Sequence, residues 1–104
     1  MITTIVQIKL PTPVSLEKAT GLFTDAAPNY RDTPGLIRKY FLLSEDGSTA
    51  GGAYLWKSRE EAEQLYSAEW RQAMTEKYGT EPSVSYFASP VIVDNLAGSI
   101  TTDD

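Results

Sequence analysis

The sequence predicts an α+β fold whose elements follow the order β-α-β-β-α-β. Two observations support this prediction. Four runs are rich in apolar, aromatic and β-branched residues, and the two stretches between them repeat apolar residues at helical spacing. The two central runs follow each other directly and are apolar on both faces. A hairpin of this kind has to be covered on both faces, which a single layer of helices cannot do.

The first strand is expected at residues 2–10, because two prolines follow it. The first helix should begin after Ser15, a favourable N-cap, and its apolar residues recur at helical spacing. It should end at about Ala27, because Pro28 pushes the preceding residue out of the helical region. Residues 29–33 are then a polar loop that leads into the central hairpin.

The central hairpin should pair residues 36–44 with residues 50–57 through a two-residue turn at Asp46-Gly47. Both turn residues tolerate the positive φ that such a turn requires. Strict alternation would place Arg38 and Lys39 on opposite faces. One face would carry Leu36, Arg38, Tyr40 and Leu42, and the other Ile37, Lys39, Phe41 and Leu43.

A second helical region is expected at residues 59–78. Ser58 caps its start, and Glu61 completes a capping box. A break is expected near Ser67-Ala68, and Gly79 suits the left-handed residue that ends a helix.

Residues 83–93 form the last predicted strand, which Pro90 confines to an edge or a bulge. The chain beyond this strand is polar and acidic, so we expect residues 96–104 to be a flexible acidic tail. Residues 1–95 would then form a single domain.

This order builds a ferredoxin-like fold, a four-stranded antiparallel sheet with both helices on one face. The helices would leave the other face bare, although the hairpin makes that face apolar as well. The simplest cover is a second copy of the chain, packed sheet to sheet. We therefore expect a homodimer with the shape of a dimeric α+β barrel.

The composition excludes several classes of function. The chain has 104 residues with no cysteine and no histidine, which excludes disulfides and thiolate catalysis and removes the commonest metal and haem ligand. Its net charge of −5 argues against nucleic acid and anionic membranes as partners. The strands also lack converging carboxylates, so no metal site is expected. No apolar run approaches about 18 residues, so we expect a soluble cytoplasmic protein.

Three segments resemble a known family. PGLIRKYFLLSEDGSTAGGAYLWKSREEAE, WRQAM and VSYFASPVIVDN are similar to segments of dimeric α+β-barrel proteins. The match is best to YdhR-type monooxygenases, relatives of the antibiotic-biosynthesis monooxygenases. The resemblance covers residues 2–95, and Pro34-Gly35, Lys39 and residues 50–55 are its most specific part.

The resemblance implies a cofactor-independent monooxygenase that oxidises a small aromatic or polyphenolic compound, such as an anthrone, with molecular oxygen and without metal or flavin. It also implies a hydrophobic site between sheet and helices, with Trp56 at the place of a family tryptophan. Asn29 is near the expected position of a family asparagine but falls in a predicted loop.

Such chemistry requires a dry, aromatic-lined pocket with a cation and a hydroxyl group. The candidate catalytic residues are Trp56, Arg38, Lys39 and Tyr40, and the candidate substrate-binding residues are Tyr54, Tyr86, Trp70 and Met74. Arg38 or Lys39 would stabilise the developing oxyanion, and one tyrosine would relay a proton. The competing interpretation is core packing for the aromatic residues and an interface or surface ion pair for a cation.

Two other classes of function fit the same residues. One is a dimer that binds a small hydrophobic ligand without turnover, which the lack of an obvious acid–base pair favours. The other is an isomerase or cyclase on a similar scaffold, which would act without consuming oxygen.

Overall fold

The structure, a computed structural model, describes residues 1–103 and follows the predicted element order up to the fourth strand. The second helical region is divided into two helices near Ser67, as predicted, and two short strands follow the main sheet. The elements are β1 (Ile2–Lys9), α1 (Leu16–Ala26), a 3₁₀ helix (Ala27–Tyr30), β2 (Leu36–Leu43), β3 (Thr49–Trp56), α2 (Arg59–Leu65), α3 (Ala68–Tyr78), β4 (Ser83–Ala88), β5 (Val91–Asp94) and β6 (Ser99–Thr102).

The main sheet has four antiparallel strands in the order β2-β3-β1-β4. The central strand β1 pairs with β3 on one side, where Thr4 lies opposite Tyr54. It pairs with β4 on the other side, where Thr4 lies opposite Tyr86. This is the ferredoxin-like arrangement, so the predicted fold class is confirmed.

The helices cover one face of this sheet, which we call the covered face, and we call the opposite one the open face. Strand β3 shows the difference, because every second residue from Ala50 to Trp56 is buried and those between are only partly buried. The buried core on the covered face consists of Val6, Ile8, Tyr54, Trp56, Ala62 and Tyr66. Aromatic side chains therefore dominate the packing beneath the helices.

Local sequence signals set the helix ends. Ser15, Ser58 and Ser67 each accept a hydrogen bond from the backbone N–H three residues later. The Ser58 hydroxyl also donates to the Glu61 carboxylate at 3.0 Å, so the two residues predicted to form a capping box are hydrogen-bonded to each other. Gly79 ends α3 with a φ of 88°, the left-handed conformation predicted for it.

A β-bulge between Leu36 and Arg38 changes the predicted alternation in β2. Leu36 lies opposite Trp56, and therefore points to the covered face. Lys39 lies opposite Tyr54 and points to the same face, whereas Arg38 points to the open face. The prediction that Leu36 and Arg38 share a face was wrong, because the extra residue of the bulge shifts the alternation by one position.

The turn between β2 and β3 spans residues 44–48, so the predicted two-residue turn was wrong. Gly47 has a φ of 75°, but Asp46 does not have a positive φ. The Asp46 carboxylate instead accepts hydrogen bonds from the hydroxyls of Ser44 and Ser48 and from the Ser48 N–H. These bonds, above all the one from the Ser48 hydroxyl, lower the pKa of Asp46 to about 2.

The last predicted strand is interrupted before Pro90, and its two parts lie in different sheets. Strand β4 is an edge strand of the main sheet, whereas β5 pairs with β6. A continuous strand over residues 83–93 was therefore a wrong prediction, since proline cannot donate to the ladder. The predicted flexible tail contains strand β6, and Asp103 N–H donates to the Pro90 carbonyl. Asp104, the end of that predicted tail, lies outside the described residues.

Candidate functional site

A cavity of about 200 Å³ lies between the covered face and helices α1 and α3. Its wall is mainly apolar and aromatic, and the 3₁₀ helix closes part of it. The lining includes Val6, Phe23, Asn29, Tyr30, Lys39, Phe41, Tyr54, Trp70, Met74, Lys77 and Tyr78. This volume suits a compound of one or two rings, because an engineered cavity of about 150 Å³ in another protein already holds benzene.

Lys39 reaches this cavity enclosed by aromatic rings. Its Nζ lies 3.4 Å from the ring centroid of Tyr30, 3.7 Å from that of Phe41 and 4.6 Å from that of Tyr54. A cation this close to a ring centroid is attracted by the negative face of the ring. Gly52 leaves room for the lysine stem, because a Cβ at that position would lie 3.1 Å from Lys39 Cε.

The surroundings of Lys39 make its charge unusually easy to lose. Within residues 1–103 it forms no ion pair. Burial, assisted by the nearby charge of Lys77, lowers the pKa of Lys39 to about 7. Near neutral pH the neutral and charged forms coexist, so the amine can accept a proton from a ligand and then hold the positive charge beside it.

Two of the rings beside this lysine belong to tyrosines, Tyr30 and Tyr54. The Tyr30 hydroxyl accepts a hydrogen bond from Trp70 Nε1 at 3.4 Å, and the Tyr30 ring meets Tyr54 edge to face at 6.1 Å. Burial raises the pKa of Tyr54 far above its ordinary value, and the neighbouring Tyr30 raises it further. The Tyr54 hydroxyl therefore keeps its proton at neutral pH and can donate a hydrogen bond.

A buried hydrogen-bonded group connects the sheet to α2 beside the cavity. Trp56 Nε1 donates to Thr4 Oγ1 at 3.0 Å, and Thr4 Oγ1 lies 2.6 Å from the Tyr66 hydroxyl. Trp56 and Thr4 are fully buried. Trp56 also stacks on Tyr54 with a centroid separation of 6.0 Å, so it supports a cavity residue from behind without lining the cavity itself.

The structure brings together only part of the candidate set. Lys39, Tyr54, Trp70 and Met74 line the cavity, with Trp56 behind Tyr54. Tyr86 packs against Tyr66, and Arg59 Cζ lies 4.2 Å from its ring centroid. Arg38 and Tyr40 are on the open face, where Arg38 donates to the Tyr40 hydroxyl at 3.5 Å.

The cavity residues that were absent from the predicted set include Tyr30, Phe41, Lys77 and Tyr78. Lys77 could have been identified, because it lies three residues after Met74 and seven after Trp70, at helical spacing. Tyr30 gave no such signal, since residues 29–33 read as a loop. Residues 27–30 instead form a 3₁₀ helix that carries Tyr30 and Asn29 to the cavity.

Within residues 1–103, no group of three or more carboxylate side chains is placed to hold a metal ion. No helix in the same range is long and apolar enough to cross a membrane.

Comparisons with known proteins agree with this architecture. A family model described as "Putative mono-oxygenase ydhR" matches residues 5–88. The fold is similar to that of the monooxygenase from the gene ActVA-Orf6 of Streptomyces coelicolor, solved in complex with nanaomycin D. That likeness has a TM-score of 0.66 and 19% identity, and covers 88% of this chain and 89% of that one.

Two further solved structures show the same fold. SnoaB, a cofactor-independent oxygenase from Streptomyces nogalater, has a TM-score of 0.60 and 13% identity over 85% of this chain and 91% of its own. Rv0793 from Mycobacterium tuberculosis has a TM-score of 0.59 and 14% identity over 86% of this chain and 95% of its own. No curated protein matches the sequence.

Proposed function

This chain belongs to the ydhR family of mono-oxygenases, and on that premise we propose that it oxidises a small aromatic compound with molecular oxygen, without metal or flavin. The observation that carries the proposal is the Lys39 amine, held among three aromatic rings at the wall of an apolar cavity. The fold it shares with SnoaB, which is described as cofactor-independent, supports the same proposal.

The chemistry starts from the substrate itself. A hydroxyaromatic compound that loses its hydroxyl proton becomes an electron donor, and it reduces oxygen as a bond forms between oxygen and the ring carbon ortho or para to the oxyanion. The resulting hydroperoxide loses water as its O–O bond breaks, which leaves a quinone. One oxygen atom stays in the product, and the other leaves as water with the two protons taken from the hydroxyl and the ring carbon.

Lys39 has two roles in this scheme. In its neutral form it takes the hydroxyl proton, and as an ammonium it then stabilises the oxyanion that it has just created. The rings of Tyr54 and Tyr30 lie beside it, and their hydroxyls would relay the proton or orient the ring of the substrate. The apolar wall excludes water, which strengthens the attraction between ammonium and oxyanion.

We also propose that two copies of the chain pair through the open face. Tyr40, Leu42 and Phe87 on that face are 57%, 42% and 55% exposed. Large apolar side chains grouped on one sheet face mark an association surface. An isologous dimer would bury this face of both copies at once.

Oxygen uptake tests the oxygenase proposal directly. The purified protein is mixed with a panel of anthrones and hydroquinones, with a chelator and without flavin, and the autoxidation of each compound is subtracted. We expect uptake that depends on the protein, survives the chelator and falls in Lys39→Met. Lys57→Met removes the same charge from an exposed side chain after β3, and it serves as the matched control.

The opposite result would favour a binding protein. If no compound gave uptake while one of them raised the melting temperature, the cavity would bind aromatic ligands without oxidising them. Protein-dependent conversion without oxygen consumption would point to an isomerase or cyclase.

A further inference from the structure

The charged residues around the cavity are sorted by sign. A groove of about 330 Å³ adjoins the cavity and shares Phe23, Ala50, Lys77 and Tyr78 with it. Lys39 lies in the cavity, Lys77 at the shared boundary and Lys18 in the groove. Within residues 1–103, neither lining contains an aspartate or a glutamate. The chain as a whole has the opposite balance of charge, with 14 acidic and 9 basic residues.

The positive charges at this site are not compensated from within the molecule. None of the three lysines forms an ion pair within residues 1–103. The charge of Lys77 also disfavours the charged form of Lys39. A neutral ligand would leave this repulsion in place, whereas an anionic ligand would relieve it.

The position of Lys77 divides the site into two parts. The cavity is aromatic and holds Lys39, whereas Lys77 stands where the cavity opens into the groove. Lys77 is itself exposed, so a charged group placed beside it stays partly hydrated. A ligand with a flat apolar part and a charged end would match these two environments.

We propose that the site takes an aromatic compound with a carboxylate side chain, its ring in the cavity beside Lys39 and its carboxylate at Lys77. The proposal rests on the proposed function for the position of the ring. A carboxylate stays ionised over the neutral pH range and forms charge-assisted hydrogen bonds with an ammonium group. Because Lys77 binds the carboxylate, Lys39 is left to accept the hydroxyl proton.

A pair of ligands that differ only in charge tests this inference. Dissociation constants for 1-naphthylacetate and 1-naphthylacetamide are measured by calorimetry on the whole protein, without oxygen and at low salt. We expect the acid to bind about tenfold more tightly than the amide, the gain typical of one hydrogen bond to a charged group. Lys77→Met keeps the length of the side chain and should reduce that preference to less than about threefold.

Lys57→Met is the matched control, because it removes one positive charge from an exposed residue that lines neither space. It should keep the full preference for the acid, and melting temperatures of both variants report their folding. Equal binding of acid and amide by the unmodified protein would overturn the inference, as would binding of neither. A preference that survives undiminished in Lys77→Met would overturn the place given to the carboxylate.

Failure of this inference can be told apart from failure of the oxygenase proposal. Oxygen uptake with a neutral hydroquinone does not depend on a carboxylate. Uptake without a preference for the acid would therefore contradict only the inference of an anion site. A preference for the acid without any oxygen uptake would support an anion-selective aromatic-binding site and contradict the oxygenase proposal.

Discussion

Arg38 and Lys39 are neighbours in one strand but lie on opposite faces of the sheet. On the open face, Arg38 donates to the Tyr40 hydroxyl and lies 3.7 Å from the Asp94 carboxylate. On the covered face, Lys39 is surrounded by rings. The hydrogen bond to Tyr40 raises the pKa of Arg38, whereas burial lowers that of Lys39 to about 7.

The difference shows how one strand can serve two purposes. A cation that keeps its water and finds a carboxylate is chemically inert, and it suits a surface or an interface. A cation that loses its water among aromatic rings changes its protonation state near neutral pH, and that is what proton transfer requires. Burial, more than residue type, therefore decides which face can carry chemistry.

The largest expected effect concerns the core of the covered face. Trp56→Ala should lower the free energy of unfolding by about 3–5 kcal/mol, because it opens a large cavity and leaves the buried Thr4 hydroxyl without its Nε1 donor. Urea denaturation at two protein concentrations measures this loss, which should be the same at both. Tyr40→Ala on the open face serves as the comparison. Its loss in free energy of unfolding should depend on protein concentration if that face forms the dimer. A loss at Trp56 below about 1 kcal/mol would contradict the packing described.

The next effect separates the two cations. Lys39→Met should reduce turnover by about a hundredfold or more, since it removes both the proton acceptor and the charge that stabilises the oxyanion. Arg38→Met should have a much smaller effect, because Arg38 points away from the cavity. Steady-state oxygen uptake by the two variants gives the answer. Equal losses would mean that the open face takes part in the reaction.

A smaller effect is expected for assembly through the open face. Leu42→Glu and Phe87→Glu should each weaken the dimer at least about tenfold, because an unpaired carboxylate would be buried between two apolar faces. Light scattering during size-exclusion chromatography measures the oligomeric state over a dilution series. Gln64→Glu adds the same charge to an exposed position of α2 and should leave the dimer intact. Dimers that persist equally in all three variants would place the interface elsewhere.

The smallest effect is the pH dependence of turnover. In the proposed reaction the neutral amine of Lys39 accepts the proton, and its pKa is about 7, so kcat/KM should rise about tenfold from pH 6 to pH 8 and then level off. The substrate for this measurement has a hydroxyl that stays protonated in this range. Residual turnover of Lys39→Met should not show the rise. A profile that falls as pH passes 7 would mean that the charged form of Lys39 is the active one in the free protein.

Much of the fold could be predicted from local signals. The N-cap at Ser58, the left-handed Gly79 and the break near Ser67 depend on residues within a few positions of each other, and all three are found in the structure. Two of the predictions that failed depend on pairing with a distant partner. The bulge after Leu36 depends on the register with β3, and strand β6 exists only because β5 lies beside it.

The candidate site shows the same limit. Alternation along β2 separated Lys39 from Arg38, which agrees with the structure. Sequence spacing could not show which of these side chains lines a cavity. Trp56 matches a family tryptophan but is buried behind Tyr54. Tyr30 had no periodic signal, yet its ring centroid lies 3.4 Å from Lys39 Nζ.

The sequence by itself determined the element order up to the fourth strand, the apolar character of both hairpin faces and the absence of histidine and cysteine, because these follow from residue types and their spacing. Only the tertiary structure decided which cation is desolvated and which residues line the cavity. A pKa depends on everything that surrounds a group, and the rings around Lys39 come from the 3₁₀ helix and from two strands. These segments are separated along the chain and meet only when the sheet has formed.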